Sequence, residues 1–144
     1  MDGGIFIGRI MPNTHLNPDT LFPSQQYGFS QIVTSRGGTT VYVSGQVGWD
    51  VKQDIGDAGD LHIQTMRALE NIERAVNAAG GSRHDVVSLR MYIVGEWIHN
   101  ARAVRESLLA FFDSNRLPAS TWIGVTALAS PDFLIEIEAI AVIE

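Results

Sequence analysis

Apolar and polar positions alternate along Ile135-Glu136-Ile137-Glu138-Ala139-Ile140-Ala141-Val142-Ile143, the pattern of a β-strand. Successive side chains of a strand point to opposite sides, so Glu136, Glu138, Ile140 and Val142 share one face. Ile135, Ile137, Ala139, Ala141 and Ile143 share the other, which reads as a core face. The first face is only half polar and is poorly suited to water, which predicts that another subunit covers it.

Upstream the period changes. Ile63, Met66, Leu69, Ile72, Val76 and Ala79 recur every three or four positions and predict an amphipathic helix, capped by Asp60 and ended by Gly80-Gly81. A second helix is predicted from Trp97 or Ile98 to Ser114, with Ile98, Ala101, Leu108 and Phe112 as its stripe and Arg105 within that stripe. A guanidinium there either snorkels to the edge or meets a buried partner. Asp85 to Val94 reads as a buried strand. Gln31 to Ser35 and Thr40 to Ser44 are extended runs joined by Arg36-Gly37-Gly38-Thr39, which predicts a β-hairpin. Thr121 to Leu128 and Phe133 to Ile143 form a final strand pair around Ala129-Ser130-Pro131-Asp132. Ile5 to Met11 is a candidate short strand, Pro12 to Ser24 a connection, and Gly45 to Gly59 is turn-rich. Hairpin, helix, strand, helix and strand pair in this order make an α+β domain, with both helices on one face of a mixed sheet.

Composition narrows the functional classes. At 144 residues, 45% hydrophobic, the chain builds one core and one domain, 1–144. A formal charge of −6 with a single lysine, Lys52, gives no electrostatic footprint for nucleic acid. Cysteine is absent, which excludes a disulfide framework, a thiol nucleophile and thiolate metal ligands. His15, His62, His84 and His99 lack the spacing of helical metal ligands, so neither metal nor cofactor is expected. No Gly-x-Ser-x-Gly elbow supports a serine hydrolase. No apolar run has the length of a membrane span, and the expectation is a cytoplasmic protein.

Four segments together resemble one family. Gly28-Phe29-Ser30-Gln31 is similar to its Pro-Tyr-Ser-Gln segment, Val43-Ser44-Gly45-Gln46 to its first core strand and the turn after it, and Leu117-Pro118-Ala119-Ser120-Thr121 to its Pro-Ala-Arg-Ser segment. With the Glu-bearing last strand, these run in the order found in the Rid (YjgF) proteins, and the likeness extends from about Gly28 to Val142. The resemblance implies a chorismate-mutase-like (YjgF-like) α+β fold and a homotrimer with small-molecule pockets at its subunit interfaces. Residues 1–27 would be an N-terminal extension. Characterised members hydrolyse reactive enamines and imines to ketones and ammonia.

The likeness also assigns roles. Glu136 matches the family's pocket carboxylate and is the candidate catalytic residue, able to orient water or exchange a proton. Phe29, Ser44, Gly45, Ser120 and Trp122 would line the ligand site. Two departures bear on substrate. Phe29 replaces a Tyr, and Ser120 stands where deaminase members carry the Arg that clamps the substrate carboxylate. A hydroxyl cannot replace a guanidinium fork, whose charge-assisted hydrogen bonds are each worth about 1.5–3 kcal/mol. Trp122 and Trp49 are read either as pocket walls or as interface packing. Arg105 is a candidate replacement cation, pairing with Glu136 when the site is free of ligand. Glu138 reads as a structural salt-bridge partner. The reading is therefore a hydrolase for an imine, an enamine or a related polarised double bond, on a substrate other than the amino-acid-derived 2-imino acids. The alternative is a non-catalytic sensor or carrier. The ribonuclease or translation-inhibitor role attached to some family names fits the acidic charge poorly.

Overall fold

A computed structural model describes residues 13–144. The candidate strand at Ile5 to Met11 lies outside them. Six strands and two helices follow: β1 (Thr14–Leu16), β2 (Ile32–Thr34), β3 (Thr39–Gln46), α1 (Leu61–Ala78), β4 (Val86–Val94), α2 (Ala101–Phe111), β5 (Ala119–Val125) and β6 (Ile135–Ile143). The main sheet has the order β3-β6-β4-β5. β6 is antiparallel to β3 and β4, whereas β5 runs parallel to β4, so the sheet is mixed. A parallel neighbour needs a crossover, and α2 supplies it between β4 and β5.

Both helices cover one face of this sheet, as the pattern predicts. Leu89, Met91, Ile93, Ile135, Ile137 and Ala141 from the strands are at most 1% exposed and meet Leu69, Ile72, Val76, Val104 and Leu108 from the helices. The opposite face carries Tyr42, Ser88, Arg90, Tyr92, Glu136, Glu138 and Ile140, paired across the strands as Tyr42–Ile140, Ser88–Ile140, Arg90–Glu138 and Tyr92–Glu136. Tyr42 is 78% exposed.

Asp60 caps α1 as expected, its carboxylate accepting from the Ile63 amide at 2.9 Å. The buried stripe of α1 differs in its first half: Leu61, Gln64, Thr65 and Ala68 lead into Leu69, Ile72 and Val76, while Ile63 and Ala79 are exposed. Fully buried Gln64 was hidden in a hydrophobicity count because its amide is satisfied by backbone. It donates to the carbonyls of Ala58 and Asp132, both at 2.9 Å, and accepts from the Leu134 amide at 2.9 Å. α2 begins later than expected, after a 3-10 turn over Gly95–His99, and buries Val104, Ser107, Leu108 and Phe111.

Two pairings depart from the sequence reading. β2 and β3 do not form a hairpin; β2 pairs with β1, inside the segment read as a connection, and β3 pairs with β6. Gly37 and Gly38 both have positive φ, which suits a tight turn, but a side chain at Gly38 would run into the Ile143 carbonyl. The pair thus lets the chain pass under the end of β6 and change sheets. β5 and β6 are consecutive without being neighbours, because β4 lies between them. No described helix is long and apolar enough to cross a membrane.

Candidate functional site

β3 and β6 build the first half of the site. Their register shifts between Val43 and Gln46, a β-bulge that leaves Ser44 and Gly45 exposed. Glu136, on the open face of β6, lays its carboxylate against the Gly45 backbone so closely that any side chain at 45 would occupy the carboxylate's position. The two motif residues therefore form one unit, with the glycine making room for the acid. A cavity of about 420 Å3 opens beside them, lined by Gly45, Gln46, Trp49, Asn71, Phe133 and Glu136 among others. Trp49 meets Phe133 edge to face at 4.8 Å between ring centroids, giving the cavity an aromatic wall.

Asn71 of α1 holds that wall in place. Its amide donates to the carbonyls of Val47 and Trp49, both at 2.8 Å. Sequence reasoning missed Asn71 and Phe133; Trp49, read as a pocket wall or interface packing, lines the Glu136 cavity and not the surroundings of Trp122. The one available signal was the spacing of Arg67, Asn71 and Arg74 on a single face of α1, which the search for an apolar stripe passed over.

The second half of the site lies elsewhere. Ser120 and Trp122 pair with Leu89 and Met91, buried residues of the helix-facing side, so they point away from the face that bears Glu136. The Trp122 indole N–H donates to the Ser120 hydroxyl at 2.9 Å. Phe29 packs on the same indole at 6.1 Å, and Phe22 packs on Phe29 at 6.1 Å. The Phe29 segment reaches β5 because the Ser30 amide donates to the Pro118 carbonyl at 3.0 Å. Ser24 and Asn17 brace it, the Ser24 hydroxyl donating to the Phe29 carbonyl at 2.8 Å and the Asn17 side chain accepting from the Gln31 amide at 2.9 Å.

The structure thus unites Gly45 with Glu136, beside Ser44, and unites Phe29 with Ser120 and Trp122, but one chain does not bring the two groups together. Arg105 belongs to the second group's surroundings, since α2 packs against Gly28 at Arg105 and Leu108. No ion pair among the described residues joins Arg105 to Glu136, so that expected pairing is not formed within the chain. Among the described residues Glu138 has no salt-bridge partner either; it accepts a hydrogen bond from the Tyr92 hydroxyl. That bond, with some burial and the carboxylate's charge, raises the phenol's pKa above its ordinary value. Among the described residues no three metal-ligating side chains cluster.

Comparison with known proteins matches residues 21–143 to the family model described as endoribonuclease L-PSP. A protein of Dermatophagoides farinae named 2-iminobutanoate/2-iminopropanoate deaminase is 32% identical over 132 residues, 92% of this chain and 94% of its own length. The crystal structure of a Rid-family protein, YyfB, from Yersinia pestis is 38% identical with a TM-score of 0.87, covering 92% of this chain and all of the other. E. coli TdcF, solved with bound serine, is 28% identical with a TM-score of 0.64, covering 83% and 95% of the two chains. Sequence and fold agree, and the chain belongs to the Rid (YjgF) family, whose model carries the endoribonuclease L-PSP description.

Proposed function

We propose that this protein hydrolyses an imine or enamine to a ketone and ammonia, on a substrate other than the amino-acid-derived 2-imino acids. The observation that carries this reading is the Glu136 carboxylate set against Gly45 in a cavity with an aromatic wall. The deaminase name of the Dermatophagoides farinae relative supports the reaction class. In the reaction, water adds to the C=N carbon of the imine protonated at nitrogen, as the Glu136 carboxylate takes one proton of that water and a neutral carbinolamine forms. Glu136 passes this proton to the amino nitrogen, and the carbon–nitrogen bond then breaks as the hydroxyl oxygen forms the ketone C=O, its proton going to Glu136 and ammonia leaving.

The site is completed by association. Three copies pack through the open faces of their sheets, bringing the Ser120 edge of one beside the Glu136 groove of the next. The half-apolar character of that face and the division of the motif residues support this arrangement. Light scattering should then return about three times the 15.7 kDa chain mass. A monodisperse monomer would sink the interfacial site.

Substrate choice follows from Ser120, whose hydroxyl is taken by the Trp122 indole. Imines of pyruvate and 2-oxobutyrate, generated in situ with an amino-acid oxidase, should decay little faster with the protein than without it. Imines lacking a carboxylate beside the reacting carbon should be accelerated, and Glu136→Gln should lower that rate about a hundredfold while preserving assembly. Full activity of the Gln variant would refute the acid-base role.

A further inference from the structure

The groove beside Glu136 does not end at Trp49. A second cavity of about 300 Å3, lined by Trp49, Asp50, Val51, Arg67, Glu70, Asn71 and Arg74, shares Trp49, Asp50, Val51 and Asn71 with the first. The two are lobes on either side of the Trp49–Val51 turn. Val51 is 99% exposed, so an apolar side chain stands at the junction without cover.

The charged groups of the second lobe are not equivalent. Asp50 is committed to its own loop, one carboxylate oxygen accepting from the Lys52 and Asp54 amides at 2.9 Å. Arg67 is committed too, donating to the Ile55 carbonyl at 2.7 Å and the Asp54 carbonyl at 3.3 Å. Arg74 stands apart. Glu70 lies four residues before it, a spacing that favours a helical ion pair, yet no such pair forms; Arg74 gives one nitrogen to the Asn71 side-chain carbonyl at 2.9 Å. Since Asn71 also holds the Val47–Trp49 segment, this turns the guanidinium toward the turn between the lobes and, among the described residues, leaves its other donors for a ligand.

We infer that Arg74 is the anion-binding residue of an extended substrate site. A ligand seated with its reacting group at Glu136 runs its apolar body over Trp49 and Val51 and places a carboxylate on Arg74. The substrate class is a carbonyl-derived imine whose carboxylate is separated from the reacting carbon by an apolar spacer. The cation missing at Ser120 is thus supplied at the far end of the groove, and substrates are selected by length. The identity of the reacting group rests on the imine-hydrolase reading; carboxylate binding at Arg74 does not.

Levulinate and its longer methyl-ketone homologues test the site without turnover, because they mimic the ketone product. Titrated into the 15N-labelled protein, they should shift the Trp49 indole resonance, with affinity passing through a maximum as the spacer lengthens. Arg74→Met should weaken the best homologue tenfold or more, Arg74→Lys should weaken it less, and the uncharged methyl ester should bind both Arg74 variants and the unaltered protein equally. Unchanged affinity in Arg74→Met, a response at Trp122 in place of Trp49, or no binding of any homologue would overturn the inference. If the homologues bind as expected while no imine is hydrolysed, the extended site stands and the catalytic reading fails.

Discussion

Glu136 and Ser120 both occupy family motif positions, but their settings differ. On β6 the Glu136 carboxylate faces a cavity of about 420 Å3, whereas on β5 the Ser120 hydroxyl is met by the Trp122 indole at 2.9 Å, with the Phe29 ring beyond it. β4 lies between the two strands, and the two side chains point to opposite faces of the sheet. The contrast separates reaction from recognition. The part of the molecule proposed for acid-base chemistry is left open, while the part to which the family resemblance assigns carboxylate binding is filled by this chain's own side chains. Ser120, where the resemblance leads one to expect an arginine, thus sits in a filled surface and is not a single altered contact.

The sharpest way to break this comparison is to separate the copies that would bring its two halves together. Ile140→Asp puts a charge on the open face, opposite Tyr42 and Ser88, without touching either half. The expected result is a folded single chain by circular dichroism and sedimentation, with imine hydrolysis lost by two orders of magnitude or more. A monomer that keeps its activity would show that the Glu136 groove suffices alone.

A smaller effect is expected from reopening the filled half. Ser120→Arg combined with Trp122→Ala removes the indole and restores a guanidinium at β5. Hydrolysis of 2-iminopropionate should rise about tenfold or more, the worth of one charge-assisted hydrogen bond. No change would mean that the position of Ser120 is not what limits this protein on 2-imino acids.

The smallest effect concerns what fastens the filled half. The His15 imidazole on β1 lies 2.8 Å from the Leu117 carbonyl, immediately before Pro118, and its other nitrogen is buried without a partner. Burial first, then the positive charge of Arg116, outweighs the carbonyl bond and lowers the histidine's pKa below its ordinary 6.5. Above 6.5 the ring is neutral in both folded and unfolded chains. As pH falls below 6.5 the unfolded chain takes up a proton that the folded one resists, so stability is lost from there down to the lowered pKa. Denaturant midpoints measured between neutral pH and about pH 5 should fall less steeply in His15→Gln than in the unaltered protein. Equal slopes would remove His15 from the account.

The sequence made different parts of this picture legible for different reasons. Local signals held: Asp60 caps α1, and the alternation of β6 separates Ile135 and Ile137, both buried, from Glu136 and Glu138. Partners distant in sequence were not legible. β3 pairs with the distant β6, Thr39 opposite Ile143, so the glycines at 37 and 38 looked like a hairpin turn when they serve a change of sheet. In the candidate site, Glu136 and Gly45 could be named from motifs, since each lies in a short segment that resembles the family. Asn71 and Phe133 could not, because only the packing of α1 and of the loop before β6 onto the Trp49 turn brings them there. The placement of Ser120 and Trp122 on the helix side follows from β5 lying beside β4 in parallel, a pairing that no local pattern encodes.

Gln64 bears on the timescale on which the groove can open. Its one amide group ties α1 to Ala58 ahead of the helix and to Asp132 and Leu134 on either side of Phe133, the aromatic residue in the groove wall. Loosening that wall strips a fully buried amide of its partners, so it is coupled to release of the helix itself. The Leu134 amide proton should accordingly exchange slowly, and the Phe133 side of the groove is more firmly tied than the Trp49–Val51 side.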